Sequence, residues 1–140
     1  LAAVYLQADV DRDGLGYQVG YGEALHTLGV SWNASMLGRD RLYTAFLGGM
    51  HDAAVLERDD SALGAIAARE FERVTGAPAS VLDVHRLEPG FPAWDGSWDA
   101  LERVETPAGV HLATNYTDRM GIPSRVREAR GLAERLADGG

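Results

Sequence analysis

The sequence predicts an α+β protein in which helices pack against a mainly antiparallel sheet. Short segments rich in apolar, aromatic and β-branched residues are separated by glycines and turn residues, which is typical of strands. Two longer segments instead space their apolar residues three and four positions apart, which indicates amphipathic helices lying on a sheet. A length of 140 residues with 46% hydrophobic content suits one compact domain of ordinary size.

Six segments are predicted to form strands. Residues 41–47 are apolar and β-prone and end at Gly48-Gly49, so we place this strand in the middle of the sheet. The other predicted strands are residues 1–8, 16–20, 30–35, 80–87 and 109–114.

The first predicted helix can be capped by Asp59, Asp60 or Ser61 and ends at Gly76 and Pro78. Its predicted inward face comprises Leu63, Ile66, Ala67, Phe71 and Val74, and its predicted outer face carries Arg69, Glu70, Glu72 and Arg73. One or two helical turns are also predicted over residues 98–104.

The second predicted helix begins near Pro123, which suits a first helical turn. Its inward face is predicted to comprise Val126, Ala129, Ala133, Leu136 and Ala137. The strand, loop and helix at this end of the chain present free backbone N–H groups at the helix start, which can hold an anion.

The charge balance excludes some partners. Thirteen basic residues, all of them arginine, stand against 21 acidic residues, a net charge of −8. A nucleic-acid-binding protein needs a basic stripe, so we predict no nucleic-acid partner. Acidic residues hold water at high salt, so we infer a halophilic source. An ordinary acidic bacterial domain with a biased composition is the alternative.

The sequence lacks the residues that several kinds of catalytic and metal site require. The absence of cysteine excludes disulfides, thiol nucleophiles and thiolate zinc sites. Asp9, Asp11 and Asp13 match the first positions of a calcium loop, but Gly20 stands where that loop needs a glutamate. No serine lies in a Gly-x-Ser-x-Gly elbow, and no two histidines share a helix face. We therefore predict no metal site, and the catalytic residues stay unknown.

Residues 114–124, which read TNYTDRMGIPS, resemble the C-terminal FAD-contacting motif of protoporphyrinogen and coproporphyrinogen oxidases and their flavin amine oxidase relatives. The spacing from Asn115 to Gly121-Ile122-Pro123 is the one that this superfamily uses. Other segments are similar to the family in the same order along the chain, namely residues 29–35, 46–49, 84–87 and 91–94.

The resemblance implies an FAD-dependent oxidoreductase that oxidises a porphyrinogen, its small-molecule substrate, in haem biosynthesis. It implies that the flavin is bounded by Asn115, Gly121, Ile122 and Ser124, and that Trp94 lies on the substrate side. A flavin amine oxidase or a carotenoid desaturase-like enzyme is one alternative. A ligand-binding or interaction domain without enzymatic activity is another.

The resemblance also divides the chain. Residues 1–108 would be part of the substrate-binding domain, and residues 109–140 would be the C-terminal strand and helix of the FAD-binding domain. The N-terminal dinucleotide fingerprint of the family is missing, so we expect a C-terminal fragment of a longer enzyme, inactive alone and prone to self-association.

The sequence has no run of roughly 20 apolar residues that could form a membrane helix. It also lacks the positive n-region of a signal peptide at its start. We therefore expect a cytoplasmic protein, with peripheral membrane association of the intact protein as an alternative.

Overall fold

The computed structural model describes residues 1–88, 96–114, 117 and 121–138. The chain divides into two compact units, residues 1–93 and 94–140. A five-stranded antiparallel sheet and its helices occupy the first unit, which confirms the predicted α+β class. The functional domain boundary expected after residue 108 stays a prediction.

All five strands pair antiparallel, in the spatial order β2-β3-β4-β1-β5. β4 is central, as its apolar sequence predicts. The strands are β1 Ala2–Ala8, β2 Gly16–Gln18, β3 Thr27–Ser31, β4 Leu42–Leu47 and β5 Ala79–Arg86.

The helices of this unit are α1 over Asn33–Leu37, a 3₁₀ helix over Ala53–Glu57 and α2 over Asp60–Thr75. The predicted cap of α2 is confirmed, because the Asp59 carboxylate accepts a 2.7 Å hydrogen bond from the backbone N–H of Ala62. α2 ends at Gly76, whose φ of 78° is the left-handed conformation that glycine adopts most readily.

The core lies between α2 and one face of the sheet. Because side chains alternate along a strand, β1 and β4 each present every second residue to this face. The α2 residues in the core are Leu63, Ile66, Ala67 and Phe71, and the buried strand residues they cover include Ala2, Val4, Leu6, Tyr43, Ala45 and Leu47. Val74, which was predicted to face inward, is instead 44% exposed.

A bulge at Leu28 changes which face β3 presents. Thr27 pairs with Leu47 and Gly29 pairs with Phe46, so Leu28 is the extra residue of β3. Without it, Thr27 and Val30 would lie on opposite faces of the sheet. The bulge therefore turns Thr27 toward α2.

On that face, Thr27 is hydrogen-bonded to Glu70 of α2. The Glu70 carboxylate accepts hydrogen bonds from the Thr27 N–H at 2.8 Å, the Thr27 hydroxyl at 2.6 Å and the His26 N–H at 3.0 Å. Glu70 is only 5% exposed, so its predicted position on the outer face of the helix is wrong. A carboxylate is stable at this depth because its oxygens are bonded to three donors.

The strand predicted over residues 30–35 is also shifted. β3 ends at Ser31, and the backbone enters α1 two residues later. The Asn33 side chain donates to the Thr44 hydroxyl at 2.8 Å, and Gly38 closes the helix with a φ of 61°. These contacts stabilise a short helix where the aromatic and polar sequence alone indicated an extended strand.

The second unit contains a 3₁₀ helix over Gly96–Arg103, where helical turns were predicted, and α3 over Ile122–Ala137. Residues 109–114 form no strand, so that prediction is wrong. Gly109 turns the backbone with a φ of 79°, and no strand of the described chain pairs with this segment. Strand-like residues form a strand only where a neighbour supplies hydrogen bonds.

The predicted inward face of α3 is exposed in the described chain, with Val126 at 54% and Leu136 at 47%. Self-association through this face remains a prediction. Within the described residues, none of the helices combines the length and apolar character required to cross a membrane.

Replacing Glu70 with glutamine tests its role in the fold. The amide has one acceptor oxygen and one donor NH₂, so either the His26 N–H or the Thr27 N–H faces a donor in place of its acceptor. We expect Glu70→Gln to lower the free energy of unfolding by about 2–3 kcal/mol. Urea unfolding measures this change. The exposed Glu72→Gln is the matched control, and equal losses in the two variants would contradict the account.

Candidate functional site

The start of α3 contains three of the predicted cofactor residues. Gly121 precedes the helix with φ 117° and ψ 148°, a conformation that glycine tolerates far better than other residues. Among the described residues, its two chain neighbours aside, only Pro123 Cδ lies within 4.0 Å of where a Gly121 side chain would begin. These residues leave the Gly121 backbone open to a ligand.

The electrostatics of this helix start suit an anion or an electron-rich ring edge. The first turn of α3 contains no acidic residue, so the positive end of the helix dipole is not offset there. The carbonyl of Gly121 accepts from the N–H groups of Ser124 and Arg125. Pro123 has no N–H, and the Ile122 N–H finds no acceptor among the described residues. Among the described residues, this N–H is therefore a candidate donor to a ligand at the helix start.

The predicted site residues differ in accessibility. Ile122 is 80% exposed, whereas Ser124 is 7% exposed and its hydroxyl accepts from the Arg127 guanidinium at 3.1 Å. The Ser124 hydroxyl is therefore engaged within α3. Asn115 and Trp94 lie outside the described residues, and their predicted roles stay predictions.

Thr117 connects the preceding loop to α3. Its hydroxyl accepts from the Thr114 N–H at 3.0 Å and lies 3.0 Å from the Thr114 carbonyl. The same hydroxyl contacts the carboxylate of Glu128, which also pairs with Arg125 at 2.6 Å. The two ends of the TNYTDRMGIPS segment are thus held against one helix. The sequence motif did not single out Thr117.

In the first unit, a depression of about 500 Å³ lies beside β2, β3 and β4. Leu15, Leu28 and Phe46 supply its apolar side chains. Its floor includes Gly16 and Gly29, where a side chain would collide with the opposite backbone. A Cβ on Gly29 would lie 2.6 Å from the Tyr17 carbonyl oxygen. Glycine thus allows β2 and β3 to pair closely and leaves a shallow apolar surface.

Tyr17 lies beside this depression, and its environment disfavours the charged phenolate. Burial, together with the negative charge of Glu70, raises the pKa of Tyr17 to about 12. The Tyr17 phenol therefore stays neutral across the physiological pH range.

Two loop contacts near Glu70 were not found from sequence. His26 Nδ1 lies 2.7 Å from the Asp52 carboxylate, and the rings of Tyr21 and His51 lie 4.9 Å apart. These pairs join residues 26 and 30 positions apart, and no local motif relates such distant residues. Glu70 did have a signal, because it follows Ile66 by four positions and therefore lies on the apolar stripe of α2.

No family model matches the chain. Among solved structures, the chain is similar to "Putative protoporphyrinogen oxidase from Exiguobacterium sp. 255-15", with a TM-score of 0.65 and 22% sequence identity. The similarity covers 96% of this chain and 34% of the other protein. At this identity, the comparison shows a shared fold. The chain spans about a third of the length of that neighbour.

Replacing Gly29 with alanine tests the close pairing beneath the depression. The new methyl group must push β2 away from β3, so we expect the free energy of unfolding to fall by about 1–3 kcal/mol. Gly22→Ala is the matched control, because the described residues, its own chain neighbours aside, place no atom within 4 Å of the position its Cβ would take. Thermal or urea unfolding measures both variants. A Gly29→Ala protein as stable as Gly22→Ala would show that the strands are not held this closely.

Proposed function

We propose that this chain is the C-terminal part of an FAD-dependent oxidoreductase that oxidises a porphyrinogen. The observation that carries the proposal is the start of α3, where the described residues leave the Gly121 backbone open and the first helical turn contains no acidic residue. The fold shared with a protein named as a protoporphyrinogen oxidase, along almost the whole chain, supports the same proposal.

The residues at the helix start fit the electron-rich edge of a flavin. In this proposal the N–H of Ile122 would donate to the flavin, while Gly121 would permit contact with the main chain. Asn115 would add a side-chain hydrogen bond. Ser124 acts through its position in the first turn, because its hydroxyl already accepts from Arg127. The bound flavin would accept a hydride equivalent from the substrate and transfer electrons to an acceptor.

The protein groups in this proposal position the two reactants. Trp94 would face the substrate, where an aromatic wall suits a flat apolar ring. Thr117 would keep the loop near the helix start through its contacts with Thr114 and Glu128. Residues 1–108 would contribute to the substrate-binding domain and residues 109–140 to the FAD-binding domain. The 140 residues alone are then expected to bind FAD weakly and to have no activity.

Flavin content of the full-length protein tests the cofactor assignment. We expect a flavin absorbance band and release of FAD on denaturation, with affinity reduced about tenfold or more in Gly121→Ala, which narrows the approach to the helix start and strains its backbone. Gly109→Ala is the matched control, since Gly109 also has a positive φ and open space around it. A full-length protein without flavin, or equal FAD affinity in the two variants, would contradict the proposal.

Oxidation assays on the same protein separate the substrates. The proposal predicts conversion of a non-fluorescent porphyrinogen into its fluorescent porphyrin. If the protein oxidises an amine or a carotenoid precursor but no porphyrinogen, the porphyrinogen assignment is wrong. A flavin amine oxidase or a carotenoid desaturase-like enzyme would then take its place. A flavin-free protein that oxidises none of these compounds would favour a non-enzymatic binding domain.

A further inference from the structure

The connection between β2 and β3 and the loop after β4 border a second cavity, of about 410 Å³, that is open to solvent on one side. We call it the loop cavity. Its lining is drawn from residues 19–26 of the first loop, from Thr27 and Leu28 at the start of β3, and from His51 and Asp52 of the second loop. The volume falls within the range of about 300–1,000 Å³ that is usual for sites of small organic ligands.

Two side-chain contacts join the walls of the loop cavity. The 2.7 Å contact between His26 Nδ1 and Asp52 Oδ2 crosses from one loop to the other. The ring contact between Tyr21 and His51 does the same at a centroid distance of 4.9 Å. All four of these residues line the cavity. The contact between His26 and Asp52 joins partly buried side chains and therefore holds the two loops together before a ligand arrives, whereas Tyr21 is 89% exposed.

Glu70 anchors the connection between β2 and β3, which forms the first wall of the loop cavity. Its carboxylate accepts from the backbone N–H groups of His26 and Thr27, at the end of the loop where β3 begins. Because Glu70 is buried in the core, this end of the loop is tied to α2. The backbone of His26, which lines the loop cavity, is therefore held in place.

The charges lining the loop cavity favour a cation. Its acidic side chains are Glu23 and Asp52, and no arginine appears among its lining residues. Asp52 Oδ2 faces Nδ1 of His26, and in the neutral imidazole this arrangement leaves Nε2 as a hydrogen-bond acceptor. The lining side chains thus offer acceptors to a donor-rich group, and Tyr21 offers an aromatic face that attracts cations.

Apolar groups complete the lining. Val19, Leu25 and Leu28 border the same space. A ligand that suits both parts has an ammonium group for the carboxylates and an apolar or aromatic body for the remaining lining. We propose that the loop cavity binds a small organic amine in its cationic form. This inference goes beyond the proposed function, because it uses none of the residues assigned to the cofactor.

Calorimetric titration of the full-length protein with three isosteric probes tests the inference. Phenethylamine carries a positive charge, 2-phenylethanol is neutral and phenylacetate is negative. We expect saturable binding of phenethylamine. The affinities of the other two probes should be lower by about tenfold or by a larger factor. No saturable heat with phenethylamine, or equal affinity for all three probes, would overturn the inference.

Variants locate the binding within the protein. Asp52→Asn keeps an acceptor oxygen for His26 but removes the charge, so phenethylamine affinity should fall about tenfold. Asp83→Asn makes the same change at an exposed position on β5 and should leave the affinity unaltered. Equal affinities in these two variants would place any binding elsewhere and overturn the inference.

The aromatic wall has its own pair of variants. Tyr21→Phe keeps the ring and should retain phenethylamine affinity, whereas Tyr21→Leu removes the ring and should weaken binding several-fold. Near-UV circular dichroism and the unfolding midpoint confirm that each variant is folded. A Tyr21→Leu protein that is folded and binds phenethylamine as tightly as Tyr21→Phe would contradict the aromatic contact.

Discussion

The carboxylate of Glu70 is the constraint on which the first unit depends. Burying a charge among apolar side chains is costly unless its oxygens are fully bonded, and here three donors from the beginning of β3 supply those bonds. Removing any one donor would leave part of that cost uncompensated. The helix and the sheet are thereby locked in one register as well as packed together.

The bonds to Glu70 also affect the surface loops, because of the β-bulge at Leu28. The bulge puts Thr27 on the α2 face, and the next residue back, His26, points its ring toward Asp52. A buried interaction therefore fixes where two surface loops meet. The loop cavity and the apolar depression beside β2 and β3 both depend on this corner of the sheet, because Leu28 lines each of them.

Much of the fold followed from local sequence. Both ends of α2 agree with the prediction. Asp59 as the N-cap, the three- and four-residue apolar spacing and Gly76 as the C-cap all indicate the same helix. β4 was placed centrally because its residues are apolar on both faces. The prediction for Glu70 is wrong because its position on the apolar stripe of α2, and not its charge, decides that the side chain is buried.

Other features depend on distant parts of the chain and have no local signal. A bulge adds one residue without changing composition, so the orientation of Thr27 could not be derived from the pattern of β3. Residues 109–114 have the composition of a strand, but strand formation needs a partner. At the candidate cofactor site, the sequence predicted the helix that begins at Ile122, whereas the Thr117 contacts depend on the side chain of Glu128, eleven residues away.

The central claim is that Glu70 ties the start of β3 into the cooperative core. Native-state hydrogen exchange of the Thr27 amide tests this most directly. The account predicts that this proton exchanges only through global unfolding, with an opening free energy equal to that of the Leu6 amide in β1. Exchange of Thr27 at the low opening free energy of a loop amide such as Gly22 would contradict it.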